Sequence, residues 1–182
     1  TRILAELRED HRNIAQLLDL VEAELAAVNR GQTPDLELLH DIMQYMIIYS
    51  DAIHHPREDL LYREMRDYDE RLADGLDLVE TDHQAIAELG LALRNDIAAM
   101  MSGVEIRRER VLRDTNDYVR KLRKHMAWEE EDLFRRARDL IRDEKDMFID
   151  ISNFDQLDPV FGPEREHSFE NLLRNIRNLS TS

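Results

Sequence analysis

The chain has 182 residues, enough for one domain with a full core, and its 25 basic against 40 acidic side chains give a net charge of −15 that would repel phosphate backbones and anionic lipid. The absence of cysteine excludes disulfides, thiolate metal sites, iron–sulfur clusters and cysteine nucleophiles, so any metal must be held by nitrogen and oxygen. Few glycines and prolines, no apolar run long enough to cross a bilayer and no export-signal profile in Thr1-Arg2-Ile3-Leu4-Ala5-Glu6 lead us to expect a helical, cytoplasmic protein with neither nucleic-acid nor membrane partners.

Leu4, Leu7, His11, Ile14, Leu18, Val21, Leu25 and Val28 recur at spacings of three and four, which predicts a helix over about residues 1–28 with His11 in its buried stripe. Asn29-Arg30-Gly31 supplies a stop, and Pro34 suits the first turn of a second helix over about 34–65. That helix carries Leu39, Met43, Met46, Ser50, His54, Glu58, Leu61 and Met65 in one stripe, so a histidine and a glutamate share its core face. Pro56 lies inside it, removing one backbone donor, and a bend or local unwinding is expected there. Adjacent helical residues point about 100° apart; the distortion is expected to let His55 join His54 at one site.

Beyond the polar connector Arg66-Asp67-Tyr68-Asp69-Glu70, a third helix is predicted over about 71–101, with Leu72, Leu76, Val79, His83, Ile86, Gly90, Leu93, Ile97 and Met100 in register. A fourth follows Ser102-Gly103 over about 104–141, burying Val111, Thr115, Tyr118, Leu122, His125, Glu129, Leu133 and Leu140. The remainder is less regular: Met147-Phe148-Ile149 is apolar, Asp158-Pro159-Val160-Phe161-Gly162-Pro163 is a turn-rich break, and residues 163–179 read as an amphipathic helix. Residues 1–142 are therefore expected to form a bundle, with 143–182 lying across it as an extension and not as a second domain.

The two halves repeat each other. Asp10-His11-Arg12-Asn13-Ile14-Ala15 aligns with Asp82-His83-Gln84-Ala85-Ile86-Ala87, and the pair His54 and Glu58 aligns with His125 and Glu129. Two helical hairpins related by a pseudo-twofold axis follow, most simply as an antiparallel up-down-up-down four-helix bundle of the all-α class. Such a bundle turns His11, His54, Glu58, His83, His125 and Glu129 toward one interior, where unpaired ionised groups would cost several kcal/mol each. A dry His–Glu hydrogen-bond network would suffice for one isolated pair, but two matched pairs with two matched single histidines point to metal.

Counting His55, five histidines and two glutamates exceed the needs of one tetrahedral zinc and suit two metals. A nitrogen-rich set with carboxylates able to bridge favours iron, with manganese or zinc as possible substitutes. Glu58 and Glu129 are the natural bridges, His11 and His54 serving one metal and His83 and His125 the other.

These residues resemble the hemerythrin-like family, specifically its HHE cation-binding domain. The resemblance rests on His54-His55-Pro56-Arg57-Glu58-Asp59-Leu60-Leu61, the pairs Asp10-His11 and Asp82-His83, and His125-Met126-Ala127-Trp128-Glu129-Glu130. It implies a four-helix bundle holding two non-haem iron ions with a bridging oxo or hydroxo group, in proteins that carry or sense dioxygen, sense iron or respond to nitric oxide. The family's oxygen carriers have a further histidine where this chain has Ala87 and an aspartate bridge where it has Glu129. His55 is expected to replace the missing ligand, which leans the reading toward a protein that senses or handles dioxygen or a related diatomic; a di-iron oxidase or peroxidase is the rival.

Other polar residues carry less. His40 lies off the apolar stripe and His167 in the tail, both read as surface histidines. Tyr45, Tyr49 and above all Tyr118 are candidate donors near the site, with core packing the simpler account. Asp10 and Asp82 are either orienting acceptors or exposed acids, Trp128 is packing, and Arg107, Arg108, Arg110, Arg135, Arg136 and Arg138 read as solvated faces.

Overall fold

The computed structural model describes residues 2–143 and 150–179, and among the described residues there is no strand. The order is α1 (Arg2–Asn29), α2 (Leu36–Tyr45), a π-helical stretch (Met46–His54), α3 (His55–Tyr68), a 3₁₀ turn (Glu70–Leu72), α4 (Leu76–Met101), α5 (Arg108–Trp128), a second π-helical stretch (Glu129–Leu133) and α6 (Phe134–Asp143). Two 3₁₀ turns (Ser152–Phe154 and His167–Phe169) precede α7 (Glu170–Leu179). The apolar cluster Met147-Phe148-Ile149 lies outside the described residues.

Local chemistry sets the ends. Gly31 takes a left-handed φ of +84° after α1, letting the Gln32 amide bond back to the Ala27 carbonyl. Pro34 sits before the second helix and not in its first turn: Asp35 is the cap, its Oδ1 accepting from the Leu38 amide at 2.9 Å. The tail helix likewise begins later than its amphipathic pattern suggested, at Glu170.

Pro56 produces no break. The nine-residue π-helical stretch runs up to it, and the His55 amide bonds to the Ser50 carbonyl five residues back. Proline cannot donate to the carbonyl four residues before it, and widening the preceding turn is one way for the chain to continue. The second π-helical stretch starts at Glu129, whose carbonyl accepts from Phe134, again five residues apart.

The predicted stripes are buried almost throughout; Leu72, Met100 and Leu140 at their margins are only partly so. They form two apolar cores. One contains Ile14, Leu18, Ile42, Met46, Ile53, Ile86, Leu93 and Leu122; the other contains Leu4, Leu7, Leu61, Met65, Leu76, Val79, Leu133 and Phe134. α1 packs on α5, α2 on α4, α4 on α5, and α3 on α4 and α6, giving a helical bundle. From the tail, α7 packs on α2 and α1, with Val160, Phe169 and Leu172 joining the first core. Two arginines read as solvated tie elements together instead: Arg136 donates to the carbonyls of Leu72 and Asp74, and Arg108 to that of Val28.

Candidate metal centre

Between the two cores lies a polar layer. Four helical segments pass from one core to the other through it: His11 separates Leu7 from Ile14, His54 and Glu58 separate Ile53 from Leu61, His83 separates Val79 from Ile86, and His125 and Glu129 separate Leu122 from Leu133. Helical periodicity holds these side chains inward, since they occupy stripe positions between leucines and isoleucines that cannot leave the interior. All seven residues singled out by sequence, His55 included, are at most 5% exposed.

Their donor atoms converge. Glu58 Oε1 lies 3.2 Å from His11 Nε2 and 3.3 Å from His54 Nε2, while its Oε2 lies 3.5 Å from His83 Nε2. Glu129 Oε2 is 3.5 Å from His11 Nε2 and 3.3 Å from His125 Nε2, and its Oε1 is 3.6 Å from His83 Nε2. Yet the Nε2 atoms of His11, His54, His83 and His125, both oxygens of Glu58 and Oε2 of Glu129 make no hydrogen bond. They approach one another without aiming at one another. Metal bonds of about 2.1 Å meeting near right angles would set neighbouring donors about 3 Å apart, so the set fits metal ions lying between them.

Two groups emerge. Ligand atoms of His11, His54 and Glu58 lie within 4.8 Å of one another, as do those of His55, Glu58, His83 and His125. His55 therefore joins the histidines of the second half, with its ring stacked on His83 at 4.2 Å between centroids. Its neighbour His54 stays with His11.

The far nitrogen of each paired histidine faces a carboxylate. His54 Nδ1 is 3.1 Å from Asp10, His11 Nδ1 is 3.0 Å from Glu130, and His83 Nδ1 is 2.8 Å from Asp59. His125 Nδ1 is 3.5 Å from Asp82, beyond hydrogen bonding but within ionic reach. The pattern obeys the internal repeat: the acid before each single histidine faces the histidine of the next pair, and the acid after Glu58 or Glu129 faces the other half's single histidine. A carboxylate on Nδ1 fixes the tautomer that leaves Nε2 a lone pair for metal. Asp10 is thus an orienting acceptor, while Asp82 is bonded to Lys121 and only approaches His125; Asp59 and Glu130 were missed, although their equivalent places beside Glu58 and Glu129 could have revealed them. Tyr62, also missed, donates to Glu129 Oε1 at 3.0 Å.

The favoured tyrosine, Tyr118, is buried against Gly90 with an unbonded hydroxyl. Tyr49 instead donates to Asp10 Oδ1 and Tyr45 to Asp158 Oδ2. His40 is partly buried beside Asp41, His167 is exposed and paired with Glu170, and Trp128 packs on the second core against Gly75 and His125.

Electrostatics explains what the layer demands. Burial and the nearby Glu129 push the Glu58 carboxyl up, but His54, His11 and His83 outweigh them and hold it below the usual range. Burial also opposes charge on Glu129, yet His11, His125 and His83 keep it well below. Burial lowers His11 and His83, but the surrounding carboxylates win, raising His11 well above its ordinary value and His83 to about 12. His55, buried beside His83 and His54, is pushed well below and stays neutral. The layer is therefore rich in anions and draws positive charge inward, which metal ions supply more effectively than protons.

No helix among the described residues is long and apolar enough to cross a membrane. Comparison with known proteins gives no match among curated proteins or solved structures. A family model, that of the hemerythrin HHE cation binding domain, matches residues 2–137. The chain belongs to the hemerythrin HHE cation-binding domain family.

Proposed function

We propose that this protein holds two non-haem iron ions and uses them to bind or sense dioxygen or a related diatomic ligand. The observation that carries the reading is Glu58, whose Oε1 faces the His11–His54 group and whose Oε2 faces His83 of the other, as a bridging carboxylate would. Glu129 spans the same two groups. Bound iron supplies reversible one-electron chemistry at each ion, and zinc or manganese could occupy the same nitrogen and oxygen donors.

The surrounding topology is an antiparallel up-down-up-down bundle. In its support, α1 runs from the second core to the first, α2 and α3 from the first to the second, α4 back to the first, and α5 and α6 to the second again. The described tail, residues 150–179, acts as an extension docked on this bundle through α7.

The protein's own groups divide the work. Three histidines face one ion and two the other, so the His11–His54 ion has more room for an exogenous ligand. A groove of ≈ 360 Å³ between α1 and α5, lined by His11, Ala15, Met126, Ala127 and Glu130, leads toward that side. Met126 occupies the place equivalent to His55 and contributes no donor. The two apolar cores keep water from the layer above and below, and Tyr62 holds Glu129 by its hydroxyl.

The test is anaerobic reconstitution with ferrous iron, followed by metal analysis and absorption spectroscopy under oxygen. Two irons per chain and a new band that vanishes when oxygen is removed support a binding protein. Continuous consumption of oxygen or peroxide with reductant would instead favour the oxidase or peroxidase reading, and less than one metal per chain would overturn both.

A further inference from the structure

Among the described residues beyond the family-matched 2–137, Asp158 is linked to the metal layer by buried side chains: the hydrogen-bonded pairs Tyr45–Asp158 and Tyr49–Asp10, joined by a ring contact between the tyrosines. Asp158 is 9% exposed and uses both carboxylate oxygens: Oδ1 accepts from the amides of Val160 and Phe161, each at 2.8 Å, and Oδ2 accepts from the Tyr45 hydroxyl at 2.8 Å. The Tyr45 ring lies against Tyr49, centroids 5.5 Å apart. Tyr49 donates to Asp10 Oδ1 at 3.2 Å, and Asp10 Oδ2 faces His54 Nδ1 at 3.1 Å. Arg57 Nη1 also approaches Asp10 Oδ2, at 3.6 Å.

Asp10 is the hub, and its lone pairs are finite. Tyr49 takes Oδ1 and His54 and Arg57 both face Oδ2, so although a carboxylate has about four acceptor positions, a further donor must share an oxygen with Tyr49 or with His54. Tyr45 is buried beside Tyr49, and its hydroxyl must find an acceptor or incur the cost of an unpaired buried donor. Asp158 supplies it. Asp10 is the other carboxylate whose charge Tyr45 feels. Without the Asp158 acceptor, the Tyr45 hydroxyl would turn to the Tyr49–Asp10 pair and compete for the oxygen atoms that orient His54.

We propose that Asp158 is a positioning residue of the metal centre, acting through Tyr45 and Tyr49 to keep Asp10 available to His54. The tail is then part of the site that holds the His11–His54 ion, and not only a cover on α1 and α2. Phe161 and Phe169, both edge-on to Tyr45, hold that ring in place. This rests on the assignment of His11 and His54 to one of two metal ions.

The experiment measures metal release to a chelator from the iron-loaded full chain, in wild type, Asp158→Asn, Tyr45→Phe and the double variant. Asparagine keeps the shape and an acceptor for the backbone amides, but its amide group turns a donor toward Tyr45. In wild type, two ions should leave in two resolvable phases. Asp158→Asn should speed one phase on the order of threefold to tenfold, a fraction of what direct orienting partners contribute, and leave the other unchanged. Tyr45→Phe removes the stranded hydroxyl, so the double variant should return to the wild-type rate; a merely structural loss would not be rescued. Circular dichroism checks that all variants keep their helix content. Unchanged release in Asp158→Asn overturns the proposal, as does an accelerated phase that Tyr45→Phe fails to restore. Failure of wild type to bind two ions would instead strike the di-metal reading itself.

Discussion

His55 stacks on His83 with planes 10° apart, although the two residues come from different halves of the repeat and His55 has no histidine counterpart in the second half. Its ring also lies 6.0 Å from His125. His55→Ala should therefore weaken the ion at His83 and His125 and spare the one at His11 and His54. Since even outer partners are worth about 10–100-fold in affinity, loss of a direct ligand should cost at least that much. Metal content after gel filtration, compared with His11→Ala, checks it: each variant should retain one ion, and the two should lose different ones.

The two glutamates proposed as bridges are not equal. Glu58 turns separate oxygens to the two histidine groups, while Glu129 presents one oxygen to His11 and His125 together and gives the other to His83 and Tyr62. Glu58→Gln removes the negative charge and replaces one carboxylate oxygen by an amide nitrogen, whose delocalised lone pair does not bind metal. Bound metal should fall from two ions to one or fewer per chain, with helix content by circular dichroism unchanged.

Most of this arrangement could be read from residue order because a buried helix writes its core face at intervals of three and four. Leu7, His11 and Ile14 announced both the stripe and the polar interruption in it. His55 could not be placed that way. Its direction depends on the π-helical register before Pro56, and so short a widened stretch leaves no period in the sequence. Asp59 and Glu130 were legible in principle, standing at matching places after Glu58 and Glu129, but an acid beside a buried glutamate looks like any solvated acid until the facing histidine is known. Tyr49 and Asp158 act over long separations that only packing reveals.

Those two acids give a paired test. Asp59 orients His83, and Glu130 orients His11. Asp59→Asn and Glu130→Gln should each lower affinity for one ion, and for opposite ions, by about 10–100-fold. Glu130 is the more exposed of the two, with side-chain exposure of 46% against 17% for Asp59. Water can replace part of its role, so Glu130→Gln should have the smaller effect in competition titrations with a chelator.

Removing metal should loosen the whole molecule, because the layer joins both cores. Buried anions at Glu58 and Glu129 then rely on the surrounding histidines, His11 and His83 among them. At free metal about 100 times Kd, each ion adds about 2.7 kcal/mol. With a chain of this size shifting about 2–4 °C per kcal/mol, stripping two ions should lower Tm by roughly 10–20 °C. Calorimetry of iron-loaded and chelated protein measures the difference, and an unchanged Tm would mean that the metal-free layer is already satisfied.

Pro56 offers the sharpest local test. The π-helical stretch ends with the His55 amide bonded to Ser50, and the next residue has no amide proton to give. Pro56→Ala restores a donor, which allows the ordinary four-residue bond to reform and the turn to tighten. His55 would then rotate away from His83, while His54, held through Asp10, keeps its partner. The expected outcome is a protein of equal or greater helix content that has lost affinity for one ion, with the phase belonging to His83 and His125 released faster. If Pro56→Ala instead keeps two ions with unaltered release rates and absorption spectrum, packing against His83 alone positions His55, and the proline is incidental to the site.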